Sequence, residues 1–157
     1  MKLLFLDLDG VLCLPPQHGN RFNTGESFDS FDFQTVKNLN LILKKFPDIE
    51  IIISSDWQLY GLSMIKDFFQ KRGCVKNPLG YTHQFSDPFE FRFREDQILK
   101  TIEWLKPEYS LVIDDMFLTF GQKHIDKIKF FRTDENKGLD TDKTNEITLW
   151  LNSLYIV

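Results

Sequence analysis

Two carboxylates placed two residues apart at the end of an apolar run, as in LFLDLDGVL at residues 4–12, carry an energetic penalty that needs a reason. In a strand, positions i and i+2 share a face, so Asp7 and Asp9 point the same way. Like charges that close repel, and burial makes the repulsion worse unless a cation or a shared proton intervenes. Two more apolar runs end in polar groups: IEIII runs into Ser54-Ser55-Asp56, and SLVI runs into Asp114-Asp115. Carboxylates gathered in that number are hard oxygen donors of the kind that suit Mg²⁺, an ion that commonly bridges to a phosphate. A carboxylate beside such an ion can attack phosphorus and form an aspartyl phosphate. A second carboxyl group can protonate the leaving oxygen and later accept a proton from the hydrolytic water. A hydroxyl and a cation can hold the phosphoryl oxygens as charge spreads over them. The residues available for these roles are Asp7 as nucleophile, Asp9 as acid/base, Ser54 as phosphate holder and Arg94 as the cation, with Asp115 completing the metal shell.

Each residue also has a plainer reading. Asp9-Gly10 is an ordinary turn signal, the serines and acids at the strand ends are helix-capping types, and a lone arginine at a helix start is commonly solvated. It is the coincidence of three polar strand ends that favours chemistry.

The elements that must position these groups follow from periodicity. KLLFLDL is a continuously apolar strand, as in a parallel sheet covered on both faces. Residues 13–30 have loop chemistry. FQTVKNLNLILKKF shows helical spacing through Val36, Leu39, Leu43 and Phe46, and Pro47 stops it. IEIIISS is a second strand, and GLSMIKDFFQKRG a helix with Gly73 as its terminator. Residues 75–93 give few clear signals. REDQILKTIEWLK is a third helix ended by Pro107, SLVIDD a third strand, KIKFFRT a fourth, and TDKTNEITLWLNSL a last helix after Gly138. Alternating strands and helices predict an α/β, three-layer Rossmann-like fold with a mostly parallel central sheet and right-handed crossovers. Ligands of such sheets bind beyond the carboxyl ends of the strands, where all three polar ends fall.

The 157 residues are expected to form one domain over 1–157. Hydrophobic content of 42% and charged content of 27% are those of an ordinary globular chain, and sixteen Phe should lie mostly in the core. A formal charge of −4 argues against a general polyanion-binding surface but not against a local basic pocket. Two cysteines, Cys13 and Cys74, support neither a disulfide framework nor a structural zinc site. The run LLFL is too short for a signal-peptide core, which leaves a cytoplasmic location as the default expectation. Trp57, Trp104 and Trp150 are expected in packing. His18, His83 and His124 lack metal-ligand spacing. Lys123, Lys127, Lys129 and Arg132 read as a solvated face. Phe89, Phe91 and Phe93 alternate with Glu90 and Arg92 as in a short strand, with a base-stacking surface as a secondary reading.

FLDLDGVL resembles the first motif of the haloacid dehalogenase-like (HAD) superfamily, IIISS its second and LVIDD its acidic fourth. More narrowly, SSDWQ, GYTHQ, REDQILKTIEWL, VIDD and GLDTD are similar to the small HAD domains associated with RNA-repair proteins. Sequences of that kind usually carry Arg where this chain has Gln58. The resemblance implies Asp7 as nucleophile and metal ligand, and Asp9 as acid/base giving its backbone carbonyl to Mg²⁺. It also implies Ser54 as the phosphate-binding hydroxyl, Asp115 as metal ligand supported by Asp114, and Arg94 as the basic third motif, with Lys100 as fallback. Ser55 and Arg21 are the expected substrate contacts, Arg21 from a loop shared with His18 and Asn20. With minimal or no cap, an open site could accept the phosphorylated end of a nucleic acid as well as a small phosphomonoester. No membrane or obligate protein partner is implied. The competing readings are a response-regulator-like phosphoacceptor and a catalytically weak HAD-fold binding module.

Overall fold

A computed structural model describes residues 1–15, 30–87, 89–90, 92–121 and 126–155. Five parallel strands, β1 (Lys2–Leu6), β2 (Ile49–Ile53), β3 (Gly80–Tyr81), β4 (Ser110–Asp114) and β5 (Ile128–Arg132), lie in the order β3-β2-β1-β4-β5. Helices α1 (Phe33–Lys45), α2 (Leu62–Lys71) and α3 (Arg94–Leu105) follow β1, β2 and β3, and α4 (Thr141–Tyr155) follows β5, while β4 leads to β5 without a helix among the described residues. This is the expected α/β arrangement.

Side chains alternate across the central strands, and each face carries its own core. Leu4, Leu6, Ile51, Ile53, Leu111 and Ile113 pack beneath α1, α2 and α4. Leu3, Phe5, Ile52 and Val112 pack against Ile98 of α3 on the opposite face. Because both faces are buried, the strands read as unbroken apolar runs. At about 1.5–3 kcal/mol per fully buried Leu, Ile or Phe, this double core is the main force holding the sheet.

The register brings the strand ends level. Leu6 pairs with Ile53 on one side and Ile113 on the other. The ladder then continues one step, Asp7 N donating to Ile113 O (3.0 Å) and Ser54 N to Leu6 O (2.9 Å). The residues that follow Leu6, Ile53 and Ile113, namely Asp7, Ser54 and Asp114, are therefore polar at the same height.

Local chemistry sets the helix ends. The Asp32 carboxylate accepts from the Gln34 and Thr35 amides, both at 2.9 Å, capping α1. α2 gives way to Gly73, whose φ of 80° is the left-handed conformation that stops a helix at low cost.

Several expectations are corrected. The stretch 75–93 holds the two-residue edge strand β3, which is too short to show a period. Phe89 and Glu90 lie in a turn and Phe93 in a bend, so the alternation there does not form a strand among the described residues. Trp104 is 70% exposed, because the inward stripe of α3 runs through Ile98, Thr101, Ile102 and Leu105. Phe33, Phe89, Phe93 and Phe117 are also exposed, so the phenylalanines are less concentrated in the core than expected. Trp57 is buried, and Trp150 packs edge-on against Tyr109 and Phe131, as expected. Cys13 is buried, and neither cysteine is in a disulfide. Arg21, His18, Asn20, Phe91, Lys123 and His124 lie outside the described residues. No helix among the described residues is long and apolar enough to cross a membrane.

Candidate active site

Asp7 follows β1 directly and is almost fully buried. Its Oδ1 accepts from Leu8 N at 2.9 Å, and the Ser55 side chain hydrogen-bonds the same carboxylate. The chain then winds tightly: the Leu12 and Cys13 amides both donate to Leu8 O, at 2.9 and 2.8 Å. Gly10 sits inside this turn with φ of 72°, and a Cβ there would lie 2.5 Å from Asp115 Oδ2. Only glycine lets Asp115 close against the loop. The turn is pinned from the residue just after β5, since Thr133 Oγ1 donates to Gly10 O at 2.8 Å.

Arg94, the first residue of α3, reaches into the acids. Its Nη1 lies 2.7 Å from Asp114 Oδ2 and 3.1 Å from Asp7 Oδ2, while Nη2 lies 3.8 Å from the exposed Asp56. Asp114 Oδ1 accepts from Met116 N at 2.9 Å, so both oxygens of that carboxylate are engaged. The choice between the two candidate cations is thereby made in geometry: Lys100 instead pairs with Glu103 on the surface of α3.

Burial raises the Asp7 carboxyl well above the usual carboxylate range, with the Arg94 guanidinium opposing the shift. Asp114 is raised by burial against the same opposition. Burial alone would lower the Arg94 guanidinium, but Asp7 and Asp114 outweigh it and keep the side chain charged. Both acids are thus harder to ionise than free carboxylates even with Arg94 in place, a penalty that a further cation would relieve.

Asp7, Asp114 and Asp115 each offer a carboxylate oxygen, all within 4.8 Å of one another. Three carboxylates against one guanidinium leave two negative charges (−3 + 1 = −2), the amount a divalent cation balances. The donors are all hard oxygen, so the residues present fit Mg²⁺. The carboxylate of half-buried Asp9 is not in this trio, which leaves its side chain outside the direct metal set.

The two serines differ. Ser55 is committed to Asp7 and accepts from Trp57 N at 3.5 Å. The buried Ser54 Oγ has no hydrogen-bond partner among the described residues. Gln58 is also buried, its Oε1 accepting from Thr82 Oγ1 (3.1 Å) and His83 N (3.2 Å), which ties the segment after β2 to the segment after β3. Its position is thus structurally used without a charge. Sequence reasoning missed Thr133, whose hydroxyl supports the Gly10 turn from 123 residues away and leaves no local signal.

A parallel Rossmann-like sheet with acids from two central strands, a hydroxyl from a third and an arginine between the acids defines a HAD-type α/β domain. The family model described as the HAD domain in Swiss Army Knife RNA repair proteins matches residues 3–144, and the chain belongs to that family. No curated protein and no solved structure gives a significant match.

Proposed function

We propose that this chain is a Mg²⁺-dependent phosphomonoester hydrolase working through an aspartyl phosphate on Asp7. One observation carries the reading: the Arg94 guanidinium sits between Asp7 and Asp114, close to the candidate nucleophile, where it can hold a phosphoryl group. In the first half-reaction a carboxylate oxygen of Asp7 attacks phosphorus while the ester oxygen departs with a proton from Asp9. In the second, Asp9 takes a proton from water, which attacks the acyl phosphate, releasing phosphate and restoring Asp7. Ser55 orients the Asp7 carboxylate. Ser54 donates to a phosphoryl oxygen, which would satisfy a buried hydroxyl otherwise left at a cost of about 1–3 kcal/mol. Mg²⁺ held by Asp7, Asp114 and Asp115, with the Asp9 carbonyl, would neutralise charge on the phosphoryl oxygens. The family description supports phosphorylated RNA ends as the substrate class.

The test is phosphate release from p-nitrophenyl phosphate with Mg²⁺, with EDTA, and with Asp7→Asn. Turnover is expected only in the native protein with Mg²⁺. Undiminished turnover by Asp7→Asn would remove the nucleophile assignment. Absence of turnover on end-phosphorylated oligonucleotides as well would favour the binding-module reading.

A further inference from the structure

Beside the acids, a groove of about 390 Å³ is lined by Asp56, Gln58, Arg94 and, further out, by Phe93 and Phe117. Phe93 is 71% and Phe117 73% exposed, and neighbouring Met116 is 51% exposed. Single exposed apolar residues are common, but here three, Phe93, Met116 and Phe117, line one groove beside the charged centre, and aromatic rings so grouped can serve a ligand. Both are tied by the chain to the charged centre. Phe93 immediately precedes Arg94, and Phe117 follows Asp115 by two residues. Arg132 braces one of them: its Nε donates to Asp115 O at 2.9 Å, and its guanidinium lies 5.9 Å from the centre of the Phe117 ring.

We infer that this groove is a stacking subsite for the base of the phosphorylated terminal nucleotide, with Phe93 and Phe117 as its aromatic contacts. The inference rests on the phosphatase reading above and deepens it. The volume is at the small end of single-ligand sites, which span about 300–1,000 Å³, and so fits one nucleoside rather than a helix. Charge points the same way. Among the residues lining the groove, Asp56 and Glu95 offset the charges of Arg92 and Arg94, so that lining carries no net positive charge to follow a phosphate backbone. Recognition therefore falls to stacking, which tolerates any base because every base has a π-face. The polar floor adds donors: Gln58 Oε1 faces His83 N at 3.2 Å and the Thr82 hydroxyl at 3.1 Å, a hydroxyl it shares with Gln97, so the Gln58 amide N–H groups are what it can offer a ligand.

The experiment compares KM for adenosine 3′- and 5′-monophosphate with that for ribose 5-phosphate. The native protein is expected to prefer the better of the two nucleotides. Phe93→Ala or Phe117→Ala should shrink that preference about 5- to 100-fold through KM, the loss of one base–aromatic contact. Phe→Leu should lose it as Ala does, and Phe→Trp should keep it. Binding is read separately in Asp7→Asn protein by the quenching of 2-aminopurine ribonucleoside 5′-monophosphate on stacking. If no ester is hydrolysed, the phosphatase reading falls, and the quench alone decides the subsite. A nucleotide preference unchanged by both alanine variants, no quench, or a phosphoserine peptide preferred with the same Phe dependence would each overturn the inference.

Discussion

Replacing Arg94 by Met keeps the length and apolar stem of the side chain but withdraws the charge that Asp7 and Asp114 share. Arg94 is 84% buried by side-chain area (100 − 16), so solvent screening cannot substitute for it. Two carboxylate charges at or inside 4.8 Å repel by about 3.5 kcal/mol at an effective dielectric of about 20. Removing one partner of a buried ion pair typically costs about 3–5 kcal/mol, in agreement. The cost depends on ionisation. Both acids already titrate above the usual carboxylate range, and Arg94 is what holds them down, so the substitution raises them further. Below those raised values the acids are protonated and the repulsion is absent; above them it is fully present. Urea unfolding of metal-free Arg94→Met is therefore expected to show a loss of about 3 kcal/mol at pH 8 that shrinks clearly at pH 5. Asp114→Asn in the same protein should recover most of the loss at pH 8. Lys100→Ala should change stability by less than about 0.5 kcal/mol at either pH, since its Glu103 partner is on the surface. An equal loss at both pH values, or none, would refute the electrostatic reasoning.

Ser54→Ala removes a buried hydroxyl with no partner among the described residues, so thermal unfolding should show little change or a small gain, whereas kcat/KM on a phosphomonoester should fall about tenfold or more. A large loss of stability would mean that the hydroxyl is structural. Gly10→Ala adds a Cβ 2.5 Å from Asp115 Oδ2 at a φ of 72°, and should cost about 1–2 kcal/mol from the backbone and weaken Mg²⁺ binding by calorimetry, whereas native-like affinity would show the loop can retreat. Because Asp7 and Asp114 are raised in the folded state, the fold binds more protons than the unfolded chain between the two sets of values, and these acids lower stability as pH rises through that window. Asp7→Asn should flatten that dependence in metal-free protein, and the stabilisation by added Mg²⁺ should grow with pH; Mg²⁺ stabilisation that is constant from pH 5 to 8 would contradict the assignment.

The apolar strands announced themselves because both faces of β1, β2 and β4 are covered, which removes the alternation that a half-exposed strand would show. Asp7, Asp114, Asp115 and Ser54 were legible for the same reason, as polar residues at the ends of such runs. What local pattern cannot carry is distance. Whether Arg94 or Lys100 faces the acids depends on how α3 is set on the sheet, and both are plausible from spacing alone. Trp104 was misplaced because its aromatic bulk suggests burial, while the stripe through Ile98, Ile102 and Leu105 leaves it outside. β3 consists of two residues held by pairing with Ile52 and Ile53, a tertiary event with no sequence period. Gly10 was visible as a turn residue, but its role as the gap that admits Asp115 exists only once β1 and β4 lie side by side.

The strand bearing Asp7 occupies the middle of the sheet, with two strands on either flank. Local opening begins at poorly tethered margins, and amide exchange should accordingly be slowest at Leu4–Leu6 and fastest along β3. The margins can breathe, and so adjust what surrounds a visiting molecule, without loosening the triad of acids. Adaptability and chemical fidelity are thus kept on different parts of one framework.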